Sequence, residues 1–215
     1  MSVIDGPRLA PVSGRPATSL VVFLHGYGAD GRDLIDIGRS WAPELPDCAF
    51  VSPHAPEPCG MAPTGRQWFP LTLRDPTEYW RGAVHAAPAL HGFLDAERAR
   101  LQIAENRIVL VGFSQGTMMA LHVGLRRPSA PGAIIGYSGK LAGPEHLGEV
   151  KVKPPITLIH GDRDEVLPID LLFEATDALG AADIPVSFHI SPGVGHGIDQ
   201  RGLLLGLAAV REALG

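Results

Sequence analysis

The stretch Arg107-Ile108-Val109-Leu110-Val111-Gly112-Phe113-Ser114-Gln115-Gly116-Thr117-Met118-Met119-Ala120-Leu121-His122 decides how this chain folds. It is an apolar run that meets a Gly-x-Ser-x-Gly and then continues in helical spacing. Ile108 to Val111 reads as a buried strand, and Thr117 to Leu125 as a helix with no breaker before Gly124 and Pro128. A sharp strand-to-helix turn holds its serine in a strained conformation that lifts the hydroxyl above the sheet edge. A Cβ two residues before or after the serine would collide with nearby backbone, which is why Gly112 and Gly116 are both glycine. Ser114 is therefore the candidate nucleophile. The bare pattern is weak alone: with 26 glycines in 215 residues it arises in roughly one chain in seven of this composition, so the flanking strand and helix carry the argument.

Outward from this centre, Leu20 to Leu24 is a second continuous apolar run, opening into the glycine-rich loop His25-Gly26-Tyr27-Gly28-Ala29-Asp30-Gly31. A weaker amphipathic helix spans Asp33 to Trp41, and Ala49 to Val51 is another strand. The proline-rich segment from Ser52 to Pro70 is too long for an ordinary connection and reads as an ordered loop. Glu78 to Arg100 predicts a long helix with Val84, Leu90, Phe93 and Leu94 on one side and a kink at Pro88. Strands at Ala133 to Tyr137, Pro155 to His160 and Val186 to Ile190 follow, with helices at Ile169 to Leu179 and Asp199 to Leu214. Alternating strands and helices predict an α/β fold, a mainly parallel sheet with helices on both faces. The length fits one domain over residues 1–215, with 1–16 an irregular N-terminal segment.

A net charge of −5, from 18 basic and 23 acidic residues, argues against nucleic acid as a partner. The longest apolar stretch, Leu203 to Val210, is far short of a membrane span, and the first sixteen residues lack the basic and apolar regions of an export signal. A cytoplasmic protein with no stable membrane insertion is the expectation, and a homodimer is open. Cys48 and Cys59 fit reduced thiols, and neither has a partner at metal-ligand spacing, so no metal or other cofactor is expected.

A serine hydroxyl needs a base to take its proton, and that base needs a carboxylate to fix its tautomer. Asp164 lies four residues past the strand ending at His160, in Gly161-Asp162-Arg163-Asp164-Glu165-Val166-Leu167-Pro168, and His196 follows the next strand in Gly193-Val194-Gly195-His196-Gly197. The order Ser114, Asp164, His196 is that of α/β-hydrolases. Asp164 could instead be a solvated turn residue or a helix cap, with Asp162 its nearest competitor. His196 could be an exposed loop histidine. His25 precedes the turn and is read as loop-shaping. The oxyanion of acyl transfer would be met by the backbone N–H of Gln115, at the start of a helix, and by that of Tyr27. The loop around Tyr27 has neither the Gly-Lys-Ser/Thr of a phosphate cradle nor the spacing of a dinucleotide fingerprint.

Four motifs taken together, Leu24 to Asp30, Gly112 to Gly116, His160 to Asp164 with Val166 and Pro168, and Gly195-His196, resemble the phospholipase/carboxylesterase family that includes acyl-protein thioesterases. The resemblance implies an α/β-hydrolase fold without a large cap domain, a Ser114/His196/Asp164 triad and an oxyanion hole from Tyr27 and Gln115. Family members often hold a leucine-like residue at the Tyr27 position, a change that bears on pocket shape. Gly65 to Phe69 resembles the bacterial esterases of the family, which implies that Trp68 and Phe69 border the acyl site, with ordinary core aromatics as the alternative; in the groove walled by the 52 to 70 loop, Met61 and Leu71 would add apolar contact. The resemblance implies a small-molecule ester as substrate. Thioesterase and lysophospholipase activity share the same residues, and a non-catalytic receptor on this scaffold is disfavoured because no triad position is replaced.

Overall fold

The computed structural model of the chain describes residues 4–72, 75 and 77–215, so the first three residues of the N-terminal segment lie outside it. Six strands run parallel in one sheet: β2 (Ser19–Leu24), β3 (Cys48–Val51), β6 (Ile108–Phe113), β7 (Ala133–Tyr137), β8 (Ile156–Gly161) and β9 (Val186–Ser191). A seventh, β1 (Arg8–Leu9), adds antiparallel at one edge, giving the order β1-β3-β2-β6-β7-β8-β9. This short strand corrects the expectation of an irregular segment over 1–16. Two residues hold too little pattern to be read, and the pairing of Arg8 with Val51 and Leu9 with Phe50 makes the strand.

The continuous apolar runs are explained by burial on both faces. Along β2, Val21 and Phe23 point to one side, where α1 (Ile35–Trp41) and α5 (Gln200–Leu214) cover them. Leu20, Val22 and Leu24 point to the other, against α2 (Glu78–Leu101), α3 (Gln115–Gly124) and α4 (Asp170–Ala181). β6 lies at the centre of the order, between β2 and β7. Its helix, α3, is buried along its whole length, so the turn between them is held by core on all sides.

The helix expected over Glu78 to Arg100 runs through Pro88 as one element, and one expectation for it is corrected, the side that Val84 takes. Proline removes a bond to the carbonyl of residue 84, and since Val84 and Pro88 are both exposed, water can satisfy that carbonyl. Val84 accordingly does not face the core; Ala83, Ala86, Ala87, Leu90, Phe93 and Leu94 do. Small alanines let α2 approach α3 closely, which helical spacing of large apolar residues alone does not foretell. The Ser52 to Pro70 segment is an ordered connection, as expected, but it contains a hairpin of its own, β4 (Glu57–Pro58) with β5 (Arg66–Gln67).

The far end of α3 is pinned by Arg127, whose side chain is almost fully buried. It donates to both oxygens of Glu105, at 2.6 and 3.0 Å, and to Asp95 on α2 at 2.6 Å. Removing one partner strands a buried charge, so Arg127→Ala should cost about 3–5 kcal/mol in denaturant unfolding. Arg127→Met combined with Glu105→Leu should recover most of that loss, because the pair is replaced by packing rather than broken.

Candidate active site

Ser114 sits between β6 and α3 at φ 53°, ψ −116°, a conformation that an L-residue adopts only under constraint. The constraint is visible on both sides. A Cβ on Gly112 would lie 2.4 Å from the amide nitrogen of Thr117, and one on Gly116 would lie 1.8 Å from the Leu24 carbonyl oxygen. Thr117 closes the turn from below, its hydroxyl meeting the carbonyls of Gly112 at 2.8 Å and Tyr137 at 2.9 Å.

The loops at the carboxyl ends of β8 and β9 bring two further side chains to this serine. His196 Nε2 lies 3.0 Å from Ser114 Oγ, and His196 Nδ1 lies 2.7 Å from Asp164 Oδ2. Asp164 Oδ1 accepts from the backbone N–H groups of Val166 at 2.9 Å and Leu167 at 2.8 Å. Burial of the carboxyl works to raise its pKa. The Leu167 amide, the His196 imidazole and the Val166 amide outweigh it and hold the group below the usual carboxylate range. With an anion fixed at Nδ1, the imidazole carries its proton there and presents a bare Nε2 to the hydroxyl. The competing Asp162 points elsewhere, its Oδ1 accepting from the Gly193 amide at 2.6 Å and so tying down the loop that carries His196. Ser138, at the end of β7, holds the same loop by donating to the Gly197 carbonyl at 3.0 Å.

The loop of Tyr27 lies against the serine, since a Cβ on Gly26 would stand 3.4 Å from Ser114 Cβ. Gln115 opens α3, where the first amide groups have no helical acceptor and the helix dipole is positive. The two candidate donors are linked by one short segment. Gly28 and Ala29 exchange backbone bonds with Arg66, at 2.9 and 2.7 Å. Trp68 Nε1 donates to the His25 carbonyl at 2.9 Å. The Gln115 side chain accepts from the Trp68 amide at 2.9 Å and donates to the Phe69 carbonyl at 2.8 Å. His25 shapes the loop as anticipated: Nδ1 lies 2.8 Å from the Gly26 carbonyl oxygen, and Nε2 accepts from the Ala55 amide at 3.0 Å. That pattern fixes a neutral ring, and burial pushes its pKa down to about 4 despite the Gly26 carbonyl. Burial, and the Cys59 thiol beside it, push the Tyr27 phenol up to about 12. Cys48 and Cys59 are both buried and unpaired.

This arrangement corrects the reading of the aromatic pair. Trp68 and Phe69 are both 0% exposed, so neither ring as placed has surface for a substrate to touch. They pack in the core beneath the loop they hold. Of their expected companions, Leu71 is partly buried against that same core, while Met61 is 82% exposed at the hairpin's tip. What the sequence concealed is the network: main-chain contacts of Trp68 and Phe69 leave no side-chain pattern, although a glutamine directly after the serine was a visible polar group in need of partners. Among the described residues, no group of three or more His, Cys, Asp or Glu side chains is placed to hold a metal ion, and no helix is long and apolar enough to cross a membrane.

Comparison with known proteins agrees with this fold. A sequence model described as phospholipase/carboxylesterase matches residues 11–205. The chain is 32% identical to the esterase YpfH of Escherichia coli over 204 residues, covering 93% of this chain and 85% of that protein. It is also 32% identical to acyl-protein thioesterase 1 of Schizosaccharomyces pombe, over 78% of this chain and 75% of that one. Among solved structures, the crystal structure of esterase PE8 superposes with a TM-score of 0.95 at 46% identity, covering 99% of this chain and 100% of the other.

Two outcomes are expected. Trp68→Ala should cost about 3–5 kcal/mol in stability and lower turnover on acetyl and octanoyl esters in equal proportion, because the ring supports the loop and not the acyl chain. A loss confined to the longer ester would return Trp68 to the acyl wall. The second concerns pH. Burial holds His25 at about 4 and His122 at about 3, against 6.5 for each when exposed. The unfolded chain therefore binds protons that the folded one refuses. Their contribution is full above pH 6.5 and is lost as pH falls towards 4 and below, so urea midpoints should decline across that window.

Proposed function

The chain belongs to the phospholipase/carboxylesterase family, and on that footing we propose that it is a serine carboxylesterase that hydrolyses short- to medium-chain esters through an acyl-enzyme on Ser114. The observation that supports this most directly is the relay from Asp164 Oδ2 to His196 at 2.7 Å and from His196 to Ser114 Oγ at 3.0 Å. In this reading Ser114 Oγ attacks the ester carbonyl carbon while His196 Nε2 takes its proton. Asp164 stabilises the imidazolium that results. The negative charge on the former carbonyl oxygen is met by the amides of Tyr27 and Gln115. His196 then gives the proton to the departing alkoxide, which leaves as the alcohol. Water attacks the acyl-enzyme with His196 again as base, and the acid is released with Ser114 restored.

The likeness to acyl-protein thioesterase 1 of Schizosaccharomyces pombe favours a second reading, a thioesterase using the same residues. Chain length separates the two. Between β7 and β8 the chain makes only short turns around Pro144–Glu149 and no inserted helical cap. An open acyl site rewards added methylenes, at about 0.8 kcal/mol each, only while wall remains to cover them. Esters of about two to eight carbons should therefore outrun palmitate by at least tenfold in kcat/KM, whereas preference for palmitoyl substrates in detergent-free solution would favour the thioesterase.

Ser114→Ala and His196→Ala should each lower kcat by about 10⁴ to 10⁶ with the fold intact. Asp164→Asn should lose about 10⁴, through the wrong tautomer of His196. Asp162→Asn should act mainly on stability and on the order of the 193–197 loop. Retention of about a tenth of wild-type turnover by either of the first two variants would overturn the assignment.

A further inference from the structure

Strand β8 ends in His160 and Gly161, and the His160 ring is 1% exposed beneath the turn that carries Asp164. Its Nε2 is 2.7 Å from the Leu167 carbonyl oxygen and 3.2 Å from Asp164 Oδ2. A carbonyl oxygen facing a ring nitrogen requires a proton on that nitrogen, so His160 Nε2–H donates to the Leu167 carbonyl, with the Asp164 carboxylate in close charge contact beside it. Asp164 Oδ2 thus stands between two imidazoles, with His196 Nδ1 at 2.7 Å on its other side.

The remaining bonds of the carboxylate explain why this contact matters. Those from Val166 and Leu167 are internal to the 164–167 turn and would travel with it if it moved. The first half of the turn is tied to the neighbouring loop through Arg163 N–H to the Val194 carbonyl at 2.9 Å. The second half is tied by His160 to the end of the strand. There is little slack between the turn and the loop of His196, since a Cβ on Gly161 would meet the carbonyl oxygens of Val194 at 2.2 Å and Gly195 at 2.6 Å.

Resting on the triad reading above, we propose that His160 is a positioning residue for the reaction, whose Nε2–H ties the Leu167 carbonyl to the end of β8 and whose ring, with Nε2 3.2 Å from Asp164 Oδ2, holds the carboxylate on the line to His196. Without it the turn keeps its own bonds and the Asp164 N–H bond to the Gly161 carbonyl at 3.4 Å, but its second half loses its anchor, and the carboxylate drifts off the imidazole. A displacement of about 1 Å in such a relay costs up to about a hundredfold in rate. The imidazolium also loses part of its counter-charge, which makes His196 harder to protonate. The titratable groups that face Asp164 are His160 from β8 and His196 from the β9–α5 loop, and those that face His196 are Asp164 and Ser114.

The test compares His160→Leu, which removes the donor, with His160→Gln, whose amide nitrogen can stand near the position of Nε2. Neither carries an imidazole at 160, so their difference isolates the hydrogen bond. Expected for His160→Leu is a ten- to hundredfold fall in kcat with KM little changed, and an acid limb of kcat/KM moved to lower pH. His160→Gln should return to within a few-fold of wild type, with the limb restored. Wild-type rate and limb in His160→Leu would overturn the proposal. So would a rate loss matched by lowered stability, with the limb unmoved and no rescue by glutamine. Should His160→Leu fail to fold, His160→Gln and His160→Asn are compared instead, and equal activity and equal limbs in the two would likewise overturn it. Labelling of wild type by a fluorophosphonate, and its absence in Ser114→Ala, checks the triad reading separately. Failure of that labelling removes the premise, whereas intact labelling with an indifferent His160→Leu removes only the inference.

Discussion

A serine held at φ 53°, ψ −116° is costly, by about 1–3 kcal/mol, and persists only because its surroundings leave it no alternative. β6 lies at the centre of the sheet and α3 is buried throughout, so the chain must reverse within a single residue between two immovable elements. The consequences spread outward. Gly112 and Gly116 are obligatory, Thr117 must be small and able to bond two carbonyls, and the carboxyl ends of β2, β8 and β9 must deliver their loops to the same rim. The strain aims one hydroxyl away from the helix and toward His196.

The second organising contact is the side-chain amide of Gln115, joined at both ends to the main chain of Trp68 and Phe69. Through it, the start of α3 and the loop of Tyr27 share one support, with Trp68 reaching the His25 carbonyl and Arg66 pairing with Gly28 and Ala29. Donors that are fixed before charge develops need no reorganisation when it appears, which is how such groups are most effective. The neutral His25 belongs to the same support, as an acceptor from Ala55 that burial keeps unprotonated.

Much of this was legible in the sequence wherever chemistry and spacing coincide. The turn at Ser114 announces itself through its glycines, and the parallel sheet through apolar runs without alternation. Asp164 and His196 are recognisable because each follows a strand in the order this fold uses. What could not be read depends on contacts that side-chain pattern does not encode. Trp68 and Phe69, read as acyl wall, are buried because their backbone is claimed by Gln115. β1 exists because two residues find an open edge beside β3. His160 looked like the last residue of an apolar strand, and only the fold of the following turn brings the Leu167 carbonyl back to it.

The β4–β5 hairpin divides its labour along its length. Its arms are committed: Gly65 leaves no room for a side chain, a Cβ there falling 2.0 Å from the Gly28 carbonyl oxygen, and Arg66 is bound to Ala55 and Pro56 as well as to the loop of Tyr27. Its tip is not, with Met61 in solvent and Ala62 merely resting over Gly28. Lengthening a surface tip costs little in loop entropy, about 0.6 kcal/mol per doubling. Changes of length or side chain can therefore accumulate at the tip while the bonds that hold the loop of Tyr27 stay as they are.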